Sequence, residues 1–355
     1  MASGSAGFSM VQAVQMATRN HGMPLEALRY PITPTGLHYL LIHYDIPVVD
    51  EESWRLEVGG EVRRPRSLTV ADLRRLDAVE TCSTMECAGN GRARFDPMPA
   101  SQPWLLEAVG TSRWRGVPLR SVLEEAGLGD GVVEILFTGL DRGVEGELEQ
   151  SYQRSLPVSE AMREDVLLVY EMNGAPLLPQ HGFPLRLVVP GWYGMTNVKW
   201  LSSVTALERP FEGYQQEHSY RFRRDEDDPG TPLTRMLPRA LMVPPGIPEF
   251  LTRERLLAPG EHVLQGKAWS GHAPIAGVEV SLDGGESWEP AATSRELDSP
   301  WAWCSWTYRW EAAAGRHTVC CRASDEAGNV QPSEPGWNVG GYVNNSPQRV
   351  VVTVR

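Results

Sequence analysis

Apolar positions recur along this chain with two different rhythms, and the change between them divides it. In SWRLEVGGEV (53–62), Trp54, Leu56 and Val58 alternate with polar residues, the period of a half-buried strand, and the pattern stops at Gly59-Gly60. LTVADLRRL (68–76) predicts a short helix, because Thr69 and Asp72 stand at capping-box spacing ahead of an apolar stripe. VPLRSVLEEAGL (117–128) predicts another, with Pro118 near its start and Gly127 where a C-cap belongs. VVEILFT, VLLVYEM and PLRLVVPG read as buried strands, the second closed by the Asn173-Gly174 turn. The first fifty residues are rich in turns and predict no clear element.

After RRDEDDPGTP (223–232) and VPPGIPEF (243–250) the helical period disappears. EHVLQGKAWSG, IAGVEVSLDGG, AWCSWTYRWEA, RHTVCCRASD and QRVVVTVR follow one another as strands between Gly, Asn and Asp turns. Short strands at that spacing predict an antiparallel sandwich of the immunoglobulin kind. The expected fold class is α+β: a mixed α/β domain over 1–235, then a β-sandwich over 236–355, joined within the connector 225–245.

Composition narrows the function. A chain of 355 residues holds two domains of ordinary size, and 41% hydrophobic with 22% charged residues specifies a folded protein. A formal charge of -12 argues against nucleic acid or an anionic membrane as partner and favours a basic protein. No apolar run reaches bilayer length, and the N-terminus lacks a basic segment followed by a continuous apolar stretch. The expected location is cytoplasmic, or periplasmic if a leader has been removed. The five cysteines are odd in number, two of them adjacent, and there is neither a C-x-x-C pair nor an H-x-x-x-H. That does not resemble a disulfide framework and nothing in it suggests zinc, so a cysteine with a special role is expected to act singly.

Cys87 is the candidate, in TMECAGNGRARF (84–95). A lone cysteine is ordinarily a buried structural thiol. Here Gly89 and Gly91 permit tight positive-φ backbone, which would place the thiol at a loop tip. Arg92 and Arg94 would lower its pKa toward thiolate, suited to a soft metal or, with a histidine base, to nucleophilic attack. In PQHGFPLRLVVPGWYGMTNVKWL (179–201), His181, Arg186 and Lys199 flank a strand and the glycines Gly191 and Gly194. Cations around exposed backbone N–H groups make a phosphate cradle, and ordinary surface charge beside a buried strand is the other reading. Asp141, in GLDRGVEGE (139–147), is expected to end a strand in a turn.

Taken together these segments resemble the sulfite oxidase family of molybdenum enzymes. ECAGNGR is similar to the family's Cys-Ala-Gly-Asn-Arg-Arg turn, and HGFPLRLVVPGWYGMTNVKWL to its pterin-holding stretch. RWRGVPLRSVL, FTGLD and YEMNGAPL match in the same order, so the resemblance runs from about Pro31 to the last strand. It implies that Cys87 is the protein ligand to molybdenum, whose other partners include the dithiolene of molybdopterin. It further implies that Arg92 contacts a bound oxyanion, while Trp104 and Tyr220 line the substrate pocket. His43, Asp141, His181, Arg186 and Lys199 would hold the cofactor, and the sandwich would form a homodimer.

The activity so implied is oxidation of a small anionic sulfur substrate, sulfite before others, by oxygen-atom transfer. Family members acting on sulfane sulfur, or reducing an oxyanion such as nitrate, are the alternative. No haem is expected, since nothing before residue 50 could hold one and no C-x-x-C-H occurs. Electrons would then leave to a separate acceptor, and a basic cytochrome c would suit the acidic surface. Two positions depart from the family pattern. Leu41-Ile42-His43 stands where Arg-Asn-His is usual, and Gly91 replaces the first arginine of the cysteine turn. A second tripeptide, Arg19-Asn20-His21, offers a competing alignment through an insertion. Both departures remove a cation from a site for a dianion and point toward the sulfane dehydrogenase branch.

Overall fold

The computed structural model describes residues 9–355; the first eight residues, on which the leader question partly turns, lie outside the described residues. The strand predicted at 53–62 covers Leu56–Gly60, with Trp54, Leu56 and Val58 buried on one face. It pairs in parallel with Leu201–Leu207, which pairs antiparallel with Glu134–Glu145. Arg66–Leu68 and Leu148–Pro157 complete this five-stranded sheet. Both predicted helices form. Thr69 and Asp72 cap each other reciprocally at Val70–Leu73, and Leu119–Ala126 ends at Gly127 with φ +72°. Leu119, Val122, Leu123 and Ala126 face the large core, the i, i+3, i+4, i+7 stripe of an amphipathic helix.

A second sheet carries the cysteine segment. Val79–Glu86 pairs with Val109–Pro118, and that strand pairs with Leu167–Met172, beside which Arg186–Val188 lies antiparallel. The C-terminal strands form the expected sandwich. Arg239–Met242, Gly260–Trp269, Cys304–Ala312 and Ala292–Ser294 make a four-stranded sheet. The facing six-stranded sheet is centred on Gln348–Val354, Gly315–Asp325 and Ile275–Ser281. Leu264, Val278, Trp306, Trp310, Val319 and Val352 fill the space between them.

The sandwich also grips the first unit. Trp269 and Trp303 belong to the large core formed mainly by earlier residues. Thr84 on the cysteine strand donates its N–H to Trp301 O at 2.9 Å, and its hydroxyl oxygen accepts from Trp303 N at 2.8 Å. The turn-rich N-terminal region holds elements that the apolar pattern did not announce: two short 3-10 turns, Leu25–Arg29 and Thr35–Leu37, and the helix Met10–Arg19, capped by Ser9 and Gln12, none of whose residues is buried. Among the described residues no helix is long and apolar enough to cross a membrane.

Candidate active site

The Cys87 turn is built by hydrogen bonds that leave little freedom. The strand Val79–Glu86 ends in register Glu86↔Val109, and Cys87 N then donates to Ala108 O at 2.9 Å. Asn90 N donates to Cys87 O and Arg92 N to Gly89 O. The Asn90 side chain ties the turn down: its amide donates to Glu86 Oε1 and Leu106 O, and its oxygen accepts from Ala108 N. Gly91 does adopt positive φ, at +93°. Gly89 serves differently: a Cβ there would stand 2.5 Å from Arg92 Nη1, so the missing side chain is the space in which the guanidinium lies.

Cys87 itself is buried, not at a loop tip. Burial pushes its thiol pKa up, and Arg92 opposes this without reversing it, which overturns the lowering expected from two arginines. The second arginine is elsewhere: Arg94 donates to Pro347 O at 3.1 Å. Among the described residues no three His, Cys, Asp or Glu side chains cluster as a metal site, so a metal at Cys87 must bring its other ligands with it.

Two cavities meet at Cys87, and His43, Leu41 and Tyr220 line both. The first runs past Asp141, His181, Arg186 and Lys199. The other, of about 330 Å³, runs past Arg92, Trp104, Gln102 and Tyr342. Cys87, Arg92, Trp104, Tyr220, His43, Asp141, His181, Arg186 and Lys199 each face one space or the other, whereas Arg94 faces neither. Each arrives from a different part of the fold. His181 ends a 3-10 turn, Arg186 opens a short strand, and Asp141 lies within the strand Glu134–Glu145. Asp141 is thus not in a terminal turn; it sits where the register with Leu148–Pro157 slips between Thr138 and Arg142, and that irregularity turns a carboxylate inward. Gly191 is not part of the cradle: a Cβ there would meet Trp301 and Gly271, whereas Gly194 does line the first cavity.

The first cavity holds two cations, and its buried polar groups are incompletely satisfied. Asp141 Oδ1 and Arg186 Nε are buried without a hydrogen-bond partner, a condition that costs about 1–3 kcal/mol per group. Burial raises the Asp141 carboxyl to about 6, with Lys199 opposing. Burial, then the Arg186 charge, lowers the Lys199 ammonium to about 7, with Asp141 opposing. Lys199 Nζ donates to Leu41 O at 2.9 Å and Gln180 O at 3.1 Å, and Arg186 donates to His181 O and Asn197 O. His181 is held neutral by burial and by the charges around it. Orphaned donors and acceptors, two cations and a cysteine at one end fit a guest that is anionic, rich in hydrogen-bonding groups and terminated by a soft metal.

The second cavity has the opposite defect. Arg92 is buried, with no carboxylate partner among the described residues; Nε donates to Gly340 O at 2.9 Å and Nη1 to Gln102 O at 2.8 Å. Its guanidinium carbon sits 5.1 Å from the centre of the Tyr342 ring, which packs 5.4 Å from Tyr220. His43 Nε2 is 2.8 Å from Glu145 Oε2, which also accepts from Gln215 at 2.7 Å. Tyr342, Gln102, His38 and Tyr39 escaped the sequence reading. Tyr342 lies in the turn-rich NVGGYVNN of the C-terminal unit, which carries no periodicity to mark it. His38 and Tyr39 had only a local apolar context.

A model of the oxidoreductase molybdopterin binding domain matches residues 43–215, and one of the Mo-co oxidoreductase dimerisation domain matches residues 241–355. The chain is 35% identical over 336 residues to sulfite oxidase of Gallus gallus, covering 90% of this chain and 72% of that one. The chain belongs to the sulfite oxidase family. Other relatives of this family include mitochondrial sulfite oxidase of Mus musculus, 34% identical over 91% of this chain and 62% of that protein. Nitrate reductase [NAD(P)H] of Hordeum vulgare is 34% identical over 91% of this chain and 39% of that protein. The chain thus spans less than two thirds of the mouse protein's length. The crystal structure of the sulfane dehydrogenase SoxCD from Paracoccus pantotrophus superposes with a TM-score of 0.81, at 26% identity, over 100% of this chain and 95% of that one.

Proposed function

We propose that this sulfite oxidase family member oxidises a small sulfur oxyanion, with sulfite as the first candidate, and passes the electrons to a separate protein such as a cytochrome c. The observation that carries this reading is Arg92, a buried cation without a carboxylate partner among the described residues, lining the same cavity as Cys87. A buried charge of that kind is costly unless an opposite charge joins it, and an oxyanion does so through charge-assisted hydrogen bonds. The overall change is SO₃²⁻ + H₂O → SO₄²⁻ + 2H⁺ + 2e⁻.

Cys87 would hold the metal, and His43, Asp141, His181, Arg186 and Lys199 would hold the pterin and its phosphate. When bound, the molybdenum cofactor supplies oxygen-atom transfer and accepts the two electrons. The chain supplies position and electrostatics. Gly340 O and Gln102 O fix the Arg92 guanidinium from two sides, so it meets the anion without reorganising. Trp104, Tyr220 and Tyr342 wall the cavity with aromatic rings. His43 Nε2 lies 2.8 Å from Glu145 Oε2 and His43 lines both spaces, so this pair stands where the reaction would release its protons. The C-terminal sandwich would join two copies into a homodimer.

One observation favours a second substrate within the same chemistry. Leu41 lines the cavity where the family pattern calls for a cation, and SoxCD, which superposes on this chain, is a sulfane dehydrogenase. Molybdenum content by mass spectrometry, followed by turnover assays with sulfite, a sulfane-sulfur compound and nitrate, tests both readings. Absence of molybdenum from active, well-folded protein would refute them together. Turnover of the sulfane compound alone would select the second.

A further inference from the structure

The second cavity contains a cation that the preceding reading does not use. Arg19, the last residue of the helix Met10–Arg19, lines it together with Arg92 and Cys87, although Arg19 lies at the exposed mouth and Arg92 is buried. Its position is fixed by the segment that lacks the expected arginine. His21 and Leu40 form an antiparallel bridge, Ile42 N donates to Asn20 Oδ1 at 2.7 Å, and Arg19 Nη2 donates to Tyr44 O at 2.7 Å. Asn20 Nδ2 reaches across to Gln102 Oε1 at 2.8 Å, tying the same tripeptide to the floor of the cavity. Arg19-Asn20-His21 therefore runs alongside Leu40–Tyr44, and the cation missing at Leu41 is present beside it in space.

We propose that Arg19 is a specificity-determining residue of this site: the second anion-binding cation, holding the outer end of a divalent sulfur oxyanion whose inner end meets Arg92. This rests on the reading of the second cavity as the substrate site. Three features support it. Among the described residues Arg19 pairs with no carboxylate, so its guanidinium keeps donors for a guest. Glu145, the one carboxylate lining this cavity, is engaged by His43, Tyr44 and Gln215. Arg19, Arg92 and Cys87 line one continuous cavity of about 330 Å³, so a cation at its mouth and the buried Arg92 face the same space.

The test is Arg19→Gln and Arg19→Lys in the holoenzyme, with sulfate as a non-reacting probe read by titration calorimetry. Arg19→Gln should raise the sulfite KM and the sulfate Kd about tenfold, the weight of one partly hydrated charge-assisted hydrogen bond, while kcat moves far less. Arg19→Lys should recover part of the loss, and Leu41→Arg added to Arg19→Gln should recover most of it. The salt dependence of KM should weaken in Arg19→Gln. An unchanged sulfate Kd in Arg19→Gln protein of normal thermal midpoint would overturn the proposal, as would a fall in midpoint that Leu41→Arg corrects without restoring sulfate binding. Sulfate binding can be read on protein without molybdenum. Failure of the redox reading would appear as absent metal with Arg19-dependent binding intact, and failure of this proposal as metal and turnover without that dependence.

Discussion

At the scale of single residues, the site depends on what is absent as much as on what is present. Gly89 has ordinary backbone geometry, and its role lies in the room it leaves for Arg92. Gly89→Ala places a methyl against a guanidinium already fixed by two carbonyls, so the arginine must move, and with it the cation proposed to hold the substrate. The expected outcome is a sulfite KM raised about tenfold or more, with a stability loss of only about 1–3 kcal/mol, read from steady-state kinetics and a thermal melt. Lys199 gives a pH signature of opposite kind. Its folded pKa is lowered to about 7 from 10.5, so the cofactor-free fold holds fewer protons there than the unfolded chain does. Stability from this group is therefore least at and below pH 7 and grows as pH rises toward 10.5. Asp141, raised to about 6 from 3.8, contributes stability that is full below pH 3.8 and lost as pH rises through 6. The difference in unfolding free energy between wild type and Lys199→Met should rise with pH between 7 and 10; a flat difference would mean that the ammonium is solvated.

At the scale of elements, the N-terminal helix stands apart. Met10–Arg19 exposes Met10, Val11 and Val14 and buries no residue, so its ten residues rest on the Ser9–Gln12 capping box and on bonds at its end from Arg19 and Asn20. Isolated helices of that length are marginal in water. Its amides should exchange with solvent faster than those of Leu119–Ala126, which packs four side chains into the core. Exchange mass spectrometry checks this, and slow exchange would show that something further holds the helix. Since Arg19 ends it, sulfate should slow exchange in the last turn if the anion bridges Arg19 and Arg92.

At the scale of the molecule, the sandwich completes the site. Glu86, the residue before Cys87, is buried and ion-paired to Arg239 at 3.1 Å, and it accepts from Trp269 Nε1 at 2.9 Å. Both partners come from the C-terminal unit, as does Tyr342. Arg239→Met would leave a buried carboxylate without its cation, and the expected loss is about 3–5 kcal/mol in chemical denaturation. Glu86→Gln in the same chain should recover a good part of it. No recovery would mean that the arginine contributes by packing alone.

The sequence by itself determined what short-range rules control. The Thr69–Asp72 capping box, the Gly127 stop and the alternation of Trp54, Leu56 and Val58 are each decided within a few residues, and each appears where it was expected. The family resemblance, carried by ordered motifs, located part of the lining of the two cavities, Cys87, Arg92, Asp141 and Lys199 among it. Only the tertiary structure decided their electrostatics and their neighbours. Cys87 has a raised rather than lowered pKa because burial depends on everything packed around it, beyond the two nearby arginines. Asp141 points inward because one strand slips against another, and no feature of GLDRGVEGE marks that slip. Arg19 reaches the Cys87 cavity, and Tyr342 meets Arg92, through pairings between segments far apart in the chain. Local periodicity fixes which face of an element is apolar; register and packing fix which faces meet.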